Sequence, residues 1–364
     1  MLKIALIAGD GIGPEVTQQG VRCLEAVSEK VGGLDYRLTA LPYSGQRYLE
    51  QGIVITDDEI ADLKREYDVI YLGAVGRPDV PPGIIEKGLL LKLRFDLDQY
   101  INFRPVKLYP GIRTPLANKS EKDIDFLVIR ENTEDLYCGI GGFLRKHTHH
   151  EIATQQMVAT RMGVERCLRY AFEACRKRND QKKLTLVAKT NVLTFAHDLW
   201  MRAFEQVGQS YPDITREYHH VDACCMYMAT KPEIYDTIVT TNMFGDIITD
   251  LGAAIAGGMG IAASGNLNPD HPQAGGPSMF EPVHGSAPDI AGKGIANPIA
   301  AILSMAMLLE QMGHARSDAK LIQAGQWLDA ACARVCPKFK GKDLDRLDLN
   351  TQAVGDLIIK ALSE

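Results

Sequence analysis

Runs of consecutive apolar residues alternate along the chain with stretches of helical spacing. Lys3–Ala8, Asp68–Leu72, Phe126–Ile129, Leu184–Val187 and Thr237–Thr240 each carry several apolar side chains and end near glycine or polar residues. Such runs suit strands buried on both faces. Val164, Cys167, Leu168, Ala171, Phe172 and Cys175 instead recur at helical intervals, opposite Glu165, Arg166, Arg169 and Arg176. Ile299–Met312 is apolar almost all round, so the helix it predicts needs burial in a core or an interface. Pro298 suits that helix's first turn, and Asn297 its cap. The alternation predicts an α/β protein with a parallel or mixed sheet. Between Gly257 and Pro298 the chain is dense in glycine, proline, asparagine and serine, too long for an idle connection and therefore functional.

Composition narrows the function classes. The 364 residues are 46% apolar and 24% charged, with a formal net charge of −6, as expected of a globular protein large enough for two domains. No apolar run reaches the ~18 residues of a membrane-spanning helix. Met1–Gly9 reads as a strand feeding a glycine turn rather than as a leader. The acidic balance argues against nucleic acid as the main partner. Eight scattered cysteines without a C-x-x-C pair read as reduced core thiols of a cytoplasmic protein.

Gly9-Asp-Gly-Ile-Gly13-Pro14 follows a strand, yet the dinucleotide fingerprint needs glycine where Pro14 stands. What remains is a tight turn into a helix that Pro14 starts and Glu15 supports electrostatically. Asp246 and Asp250 lie four residues apart on one predicted helix face, among Phe244, Ile247, Ile248, Leu251, Ala253 and Ala254. Close carboxylates with little water around them call for a cation such as Mg²⁺, the alternative being a solvated acidic face. Lys189 ends an apolar strand, as a proton-accepting base or as a snorkelling side chain. Arg94, Arg104 and Arg130 sit among hydrophobes, suited to a multi-carboxylate substrate or, singly, to structural ion pairs. His147, His149 and His150 read as surface, and His219 and His220 have no ligand spacing.

In order, Gly9-Asp-Gly-Ile-Gly-Pro-Glu15, Asn102-Phe-Arg-Pro105, Arg130-Glu-Asn-Thr-Glu134, Lys189-Thr-Asn-Val192, Asn242-Met-Phe-Gly-Asp-Ile247 and Glu281-Pro-Val-His-Gly-Ser-Ala-Pro-Asp-Ile-Ala-Gly292 run through the chain. Together they resemble the metal-dependent β-decarboxylating dehydrogenases, the isocitrate/isopropylmalate dehydrogenase family, over essentially the whole length. The resemblance implies a two-domain α/β fold with a mixed sheet that is not a Rossmann fold. Residues 1–101 with 257–364 would form domain one, and 102–256 domain two with the dimer contact. It further implies that Arg94, Arg104 and Arg130 hold substrate carboxylates. Asp246 and Asp250 would bind Mg²⁺ or Mn²⁺ together with Asp222 of the neighbouring subunit of a homodimer. Lys189, also from the neighbour, would take the hydroxyl proton, and Tyr137 would serve as the acid. Ile12, Glu281, His284, Gly285, Ser286, Ala287, Asp289 and Asn297 would contact NAD, Asp289 reading the adenosine ribose.

Within that resemblance, Leu89–Leu91 before Arg94 supply apolar surface for a branched substituent, with Leu90 and Leu91 taken as the contacts. Three leucines follow Gly88, where the commonest isopropylmalate pattern has two. The expected reaction is NAD-dependent oxidative decarboxylation of 3-isopropylmalate to 4-methyl-2-oxopentanoate, a step of leucine biosynthesis. Lys87 and Lys92 keep homoisocitrate open, Asp98–Pro105 is similar to tartrate and D-malate enzymes, and isocitrate is a further alternative. A catalytically silent regulatory subunit would have lost some of Tyr137, Lys189, Asp222, Asp246 or Asp250, and none is missing.

Overall fold

The computed structural model describes residues 1–340 and 349–364; residues 341–348, inside the C-terminal part of the first expected domain, lie outside the described residues. Its strands are β1 (Leu2–Gly9), β2 (Tyr36–Ala40), β3 (Val69–Ala74), β4 (Ile101–Lys107), β5 (Asp125–Glu131), β6 (Gly141–Leu144), β7 (Ile152–Gln155), β8 (Lys183–Ala188), β9 (Thr215–His220), β10 (Thr237–Thr240), β11 (Ala263–Leu267) and β12 (Ser278–Pro282). Its α-helices are α1 (Gly13–Lys30), α2 (Gly45–Gln51), α3 (Asp57–Glu66), α4 (Lys92–Asp96), α5 (Arg161–Arg178), α6 (Ala196–Gly208), α7 (Val221–Thr230), α8 (Asn242–Ile255), α9 (Ile299–Arg316), α10 (Ala319–Val335) and α11 (Thr351–Ser363). Contacts divide the chain into two compact units: Met1–Gln99 with Lys107–Glu121 and Ala253–Glu364, and Tyr100–Val106 with Lys122–Gly252. All five apolar runs are strands, and the chain is α/β with a mixed sheet.

In the first unit the strand order is β2-β1-β3-β12-β11. The first four are parallel and β11 is antiparallel to β12. Every residue of β3 is buried, which its apolar composition permits. α9 packs against α1, α10 and β12, and its apolar girth is covered as the sequence required. Asn297 accepts the Ile299 amide at 3.1 Å and so caps the helix from one position before Pro298. The glycine- and proline-rich segment after Gly257 is not all loop, because it contains β11 and β12. Ser264 and Asn266 are fully buried in β11, and such polar strand residues hide the element from a hydrophobicity reading.

Glu86–Leu91 forms a π turn leading directly into α4, which carries Arg94. Its i→i+5 closure takes up one residue more than an α-turn. Leu89, Leu93 and Leu97 are all fully buried behind it.

In the second unit the order is β4-β5-β10-β8-β9, with the last four parallel. α5 is capped by Thr160, whose hydroxyl accepts the Gly163 amide, and it stops at Asn179 in the left-handed conformation. β6 and β7 form a separate antiparallel ribbon whose residues are all exposed, including Phe143, Leu144 and Ile152.

Candidate active site

β5 delivers the centre of the second unit's site. Its apolar run Phe126–Ile129 is buried, and Arg130 continues that burial at 1% exposure. A guanidinium cannot be buried without partners for its N–H groups. Arg130 Nη1 donates to Asp246 Oδ1 at 2.5 Å, while Nε and Nη2 donate to Asn242 Oδ1 at 3.1 and 2.7 Å. Tyr137 places its hydroxyl on Asp246 Oδ2 at 2.7 Å, and its ring lies 5.3 Å from the Arg130 guanidinium. The backbone of α8 is held in place by Asp135, whose Oδ2 accepts the Met243 amide at 2.9 Å. Gly245 is there because nothing larger fits: a Cβ would lie 2.4 Å from Arg130 Cγ.

Charge sets the two α8 carboxylates apart. Burial raises the pKa of Asp246, but the Arg130 charge, the Tyr137 hydroxyl and the Arg104 charge outweigh it, and the net shift is downward. Asp250, one turn on, is pushed up by burial and by repulsion from Asp246. The expectation that the helix leaves little room for water needs correcting, because Asp250 is exposed and Ile247 beside it is 53% exposed. Arg104 is 8% exposed and donates from Nε to Asn102 Oδ1 at 2.9 Å.

Lys189 leaves the sheet directly after β8, whose last ladder pair is Ala188 with His220. Its ammonium donates to Asp222 Oδ1 at 2.6 Å, and this bond holds the Asp222 carboxyl below its ordinary pKa. Tyr137, Arg130 and Asp246 are thus brought together, and Lys189 and Asp222 form a second pair at the start of α7. No group of three His, Cys, Asp or Glu side chains suited to a metal stands together among the described residues.

In the first unit the turn Gly9–Gly13 is filled by protein. A Cβ on Gly9 would lie 2.0 Å from Ala74 O, on Gly11 2.0 Å from Ser286 O, and on Gly13 2.1 Å from Ala8 O. The glycines let strands and loops meet. Ile12 donates its amide to Ser286 O at 2.9 Å, tying this turn to the segment after β12. That segment stays open: no heavy atom lies within 4 Å of a Cβ built on Gly285, Gly292 or Gly294. Ala287 has φ +40°, and Asp289 is exposed in the short 3-10 turn that follows. His284 Nδ1 lies 3.0 Å from Gly285 O. Glu281 binds Arg94 Nη2 at 3.2 Å and Asn266 Nδ2 at 2.7 Å.

Leu89 is fully buried in the hydrophobic core, which corrects the reading of all three leucines as one surface. Leu90 and Leu91 are half-buried. Sequence reasoning missed Asp10, Asn242, Asp135, Gly245 and His197. Asp10 is buried and accepts the amides of Gly45, Gln46 and Gly76, a role that the Gly-Asp-Gly spacing hints at only in hindsight.

The model of the family described as "Isocitrate/isopropylmalate dehydrogenase" matches residues 3–358. A "3-isopropylmalate dehydrogenase" of Thermobifida fusca is 54% identical over 323 residues, covering 89% of this chain and 90% of that protein. One of Corynebacterium diphtheriae is 51% identical over 362 residues, 99% of each chain. Among solved structures, isocitrate dehydrogenase from Methylococcus capsulatus superposes with a TM-score of 0.86 at 33% identity, covering 100% of both chains.

Proposed function

Because the chain belongs to the isocitrate/isopropylmalate dehydrogenase family, we propose that it oxidises and decarboxylates 3-isopropylmalate with NAD⁺ and a divalent metal, in the leucine pathway. The observation that carries this reading is the Arg130–Asp246–Tyr137 cluster, where a carboxylate-binding cation, a metal-binding anion and a proton donor meet within hydrogen-bonding distance. Asp246 and Asp250 fit a hard cation by chemistry: two carboxylates one turn apart, one of them raised by burial and by the other's charge. Asp222 supplies the third carboxylate from a second copy of the chain. A homodimer is supported by apolar side chains left exposed around this region, Phe195 at 90%, Met226 at 61% and Ile247 at 53%.

The reacting groups divide the charge that develops. Arg94, Arg104 and Arg130 hold and orient the substrate carboxylates. Lys189 of the neighbouring subunit, acting as the neutral amine, takes the proton of the C2 hydroxyl, and Tyr137 returns a proton at C3 after carbon dioxide leaves. When bound, the dinucleotide would supply a hydride acceptor for C2 and the divalent ion positive charge to offset that developing on the substrate oxygens. Asp246 and Asp250 would hold that ion. Ile12, Glu281, His284, Gly285, Ser286, Ala287, Asp289 and Asn297 would hold the dinucleotide, so the first unit serves the cofactor and the second the metal. Leu90 and Leu91 offer the apolar contact for the isopropyl group. Cytoplasmic residence is supported by eight free cysteines.

The test is a panel of 3-isopropylmalate, D-malate, tartrate, isocitrate and homoisocitrate with NAD⁺ and Mg²⁺, read by absorbance of the reduced nicotinamide. Burying three isopropyl carbons at ~0.8 kcal/mol each gives ~2 kcal/mol, so kcat/KM should exceed that for D-malate at least about ten-fold. Isocitrate or D-malate matching it would overturn the substrate assignment.

A further inference from the structure

His197, the second residue of α6, has no role in the chemistry above, yet its side chain is fully buried and reaches back to the site. The Lys189 amide donates to His197 Nδ1 at 2.8 Å. Lys189 lies one residue past the ladder, where β8 offers its N–H no strand partner, so the ring closes an otherwise orphaned donor. The intervening turn is tied at both ends: Leu193 donates to Lys189 O at 2.9 Å and His197 donates to Leu193 O at 3.1 Å. On its other side the ring meets Phe244 edge-on at 5.3 Å. The lysine, its turn and the start of α6 are therefore one bracket, with the imidazole as its clasp.

A backbone amide only donates, so Nδ1 must be bare and the proton must sit on Nε2. Nε2 has no hydrogen-bond partner among the described residues, and neither has the buried Thr241 Oγ1. Both residues line a cavity of about 10 Å³ together with Glu131, Asp135 and Trp200, the size of a single water molecule. Burial lowers the pKa of His197, while the charge of Asp135 opposes this, and the uncharged ring prevails.

We propose that His197 is a positioning residue for Lys189: its Nε2-protonated tautomer, bridged by one water to Thr241, fixes the backbone from which the lysine side chain and its terminal nitrogen project. The proposal rests on Lys189 being the group that takes the hydroxyl proton. His197→Leu removes the acceptor at similar bulk, and His197→Asn restores an acceptor close to Nδ1. The leucine variant should lose kcat about ten-fold with KM for the acid little changed, since a misplaced base costs turnover and not binding. The asparagine variant should recover most of that loss. Long-range ¹⁵N–¹H correlation spectra of histidine-labelled wild-type protein should show Nδ1 unprotonated. A protonated Nδ1, unchanged kcat in folded His197→Leu, or equal impairment of both variants would overturn the proposal. Wild-type turnover in Lys189→Ala would instead bring down the lysine assignment, leaving the tautomer measurement as the separate test of the bracket.

Discussion

Gly245→Ala separates what the site needs from what the fold needs. The substitution adds one methyl group to α8, immediately before Asp246. It would stand 2.4 Å from Arg130 Cγ and 2.6 Å from Cβ, whereas ordinary contacts are 3.4–4 Å. One of the two elements must therefore move by about 1 Å. Arg130 is only 1% exposed and its Cβ is fixed by β5, so α8 must shift, and the shift falls on the bonds from the guanidinium to Asp246 and Asn242 on that helix. Overpacking of this kind costs ~1–3 kcal/mol. Alanine in place of glycine within a helix returns about 1 kcal/mol. The net loss of stability is then only ~0–2 kcal/mol, and the protein stays folded. A misplacement of about 1 Å in a carboxylate-binding group costs on the order of 10²-fold in rate, or ~2.7 kcal/mol of transition-state stabilisation. Activity should therefore fall much further than stability. The assay pairs urea denaturation with steady-state turnover of 3-isopropylmalate under saturating NAD⁺ and Mg²⁺. Wild-type kcat/KM in a folded Gly245→Ala enzyme would refute the assigned role of Arg130.

Three further outcomes are expected. Lys189→Ala and Tyr137→Phe should each lose ~10²–10⁴-fold in turnover as homodimers, and co-expression should restore activity, because each mixed dimer has one complete site; no recovery would refute the sharing of sites between subunits. Asp289→Lys should weaken NAD⁺ use and raise NADP⁺ use, since the carboxylate accepts ribose hydroxyls and repels a 2′-phosphate; a wild type preferring NADP⁺ would refute this. Burial pushes the Glu131 carboxyl up to about 7, partly offset by the amides of Thr133 and Glu134. The folded chain therefore holds this proton through a range where the unfolded chain releases it, and the contribution to stability falls as pH rises from ~4.5 to ~7, by about 3 kcal/mol at most. Denaturation at about pH 5 and about pH 7.5 should show that slope in wild type and its loss in Glu131→Gln; identical slopes would refute it.

The parallel strands were legible because burial on both faces demands uninterrupted apolar runs, as in Thr237–Thr240. α9 was legible for a related reason, its need for cover on all sides. β11 was not, since Asn266 is buried by bonding to Glu281 and a one-dimensional pattern cannot see its partner. The same limit hid Asp10, Asn242 and His197, whose roles depend on segments far along the chain or on the turn between them. The ribbon β6–β7 gave no signal either, because its apolar residues are exposed in the single chain. For the leucines, composition showed three apolar side chains in a row, and only packing could place Leu89 in the core.

The π turn at Glu86–Leu91 has an evolutionary consequence. A loop that gains a residue ordinarily shifts everything after it, and in a helix the shift rotates each later side chain by about 100°. Here the wider turn takes up one residue more than an α-turn would, while Leu93 and Leu97 stay buried and Arg94 bonds to Glu281. Insertions and deletions of one residue thereby become tolerable variation in the stretch that carries the leucines proposed to meet the substrate's side chain. Descendants of one ancestor can trial new substituent pockets there while inheriting the carboxylate grip unaltered.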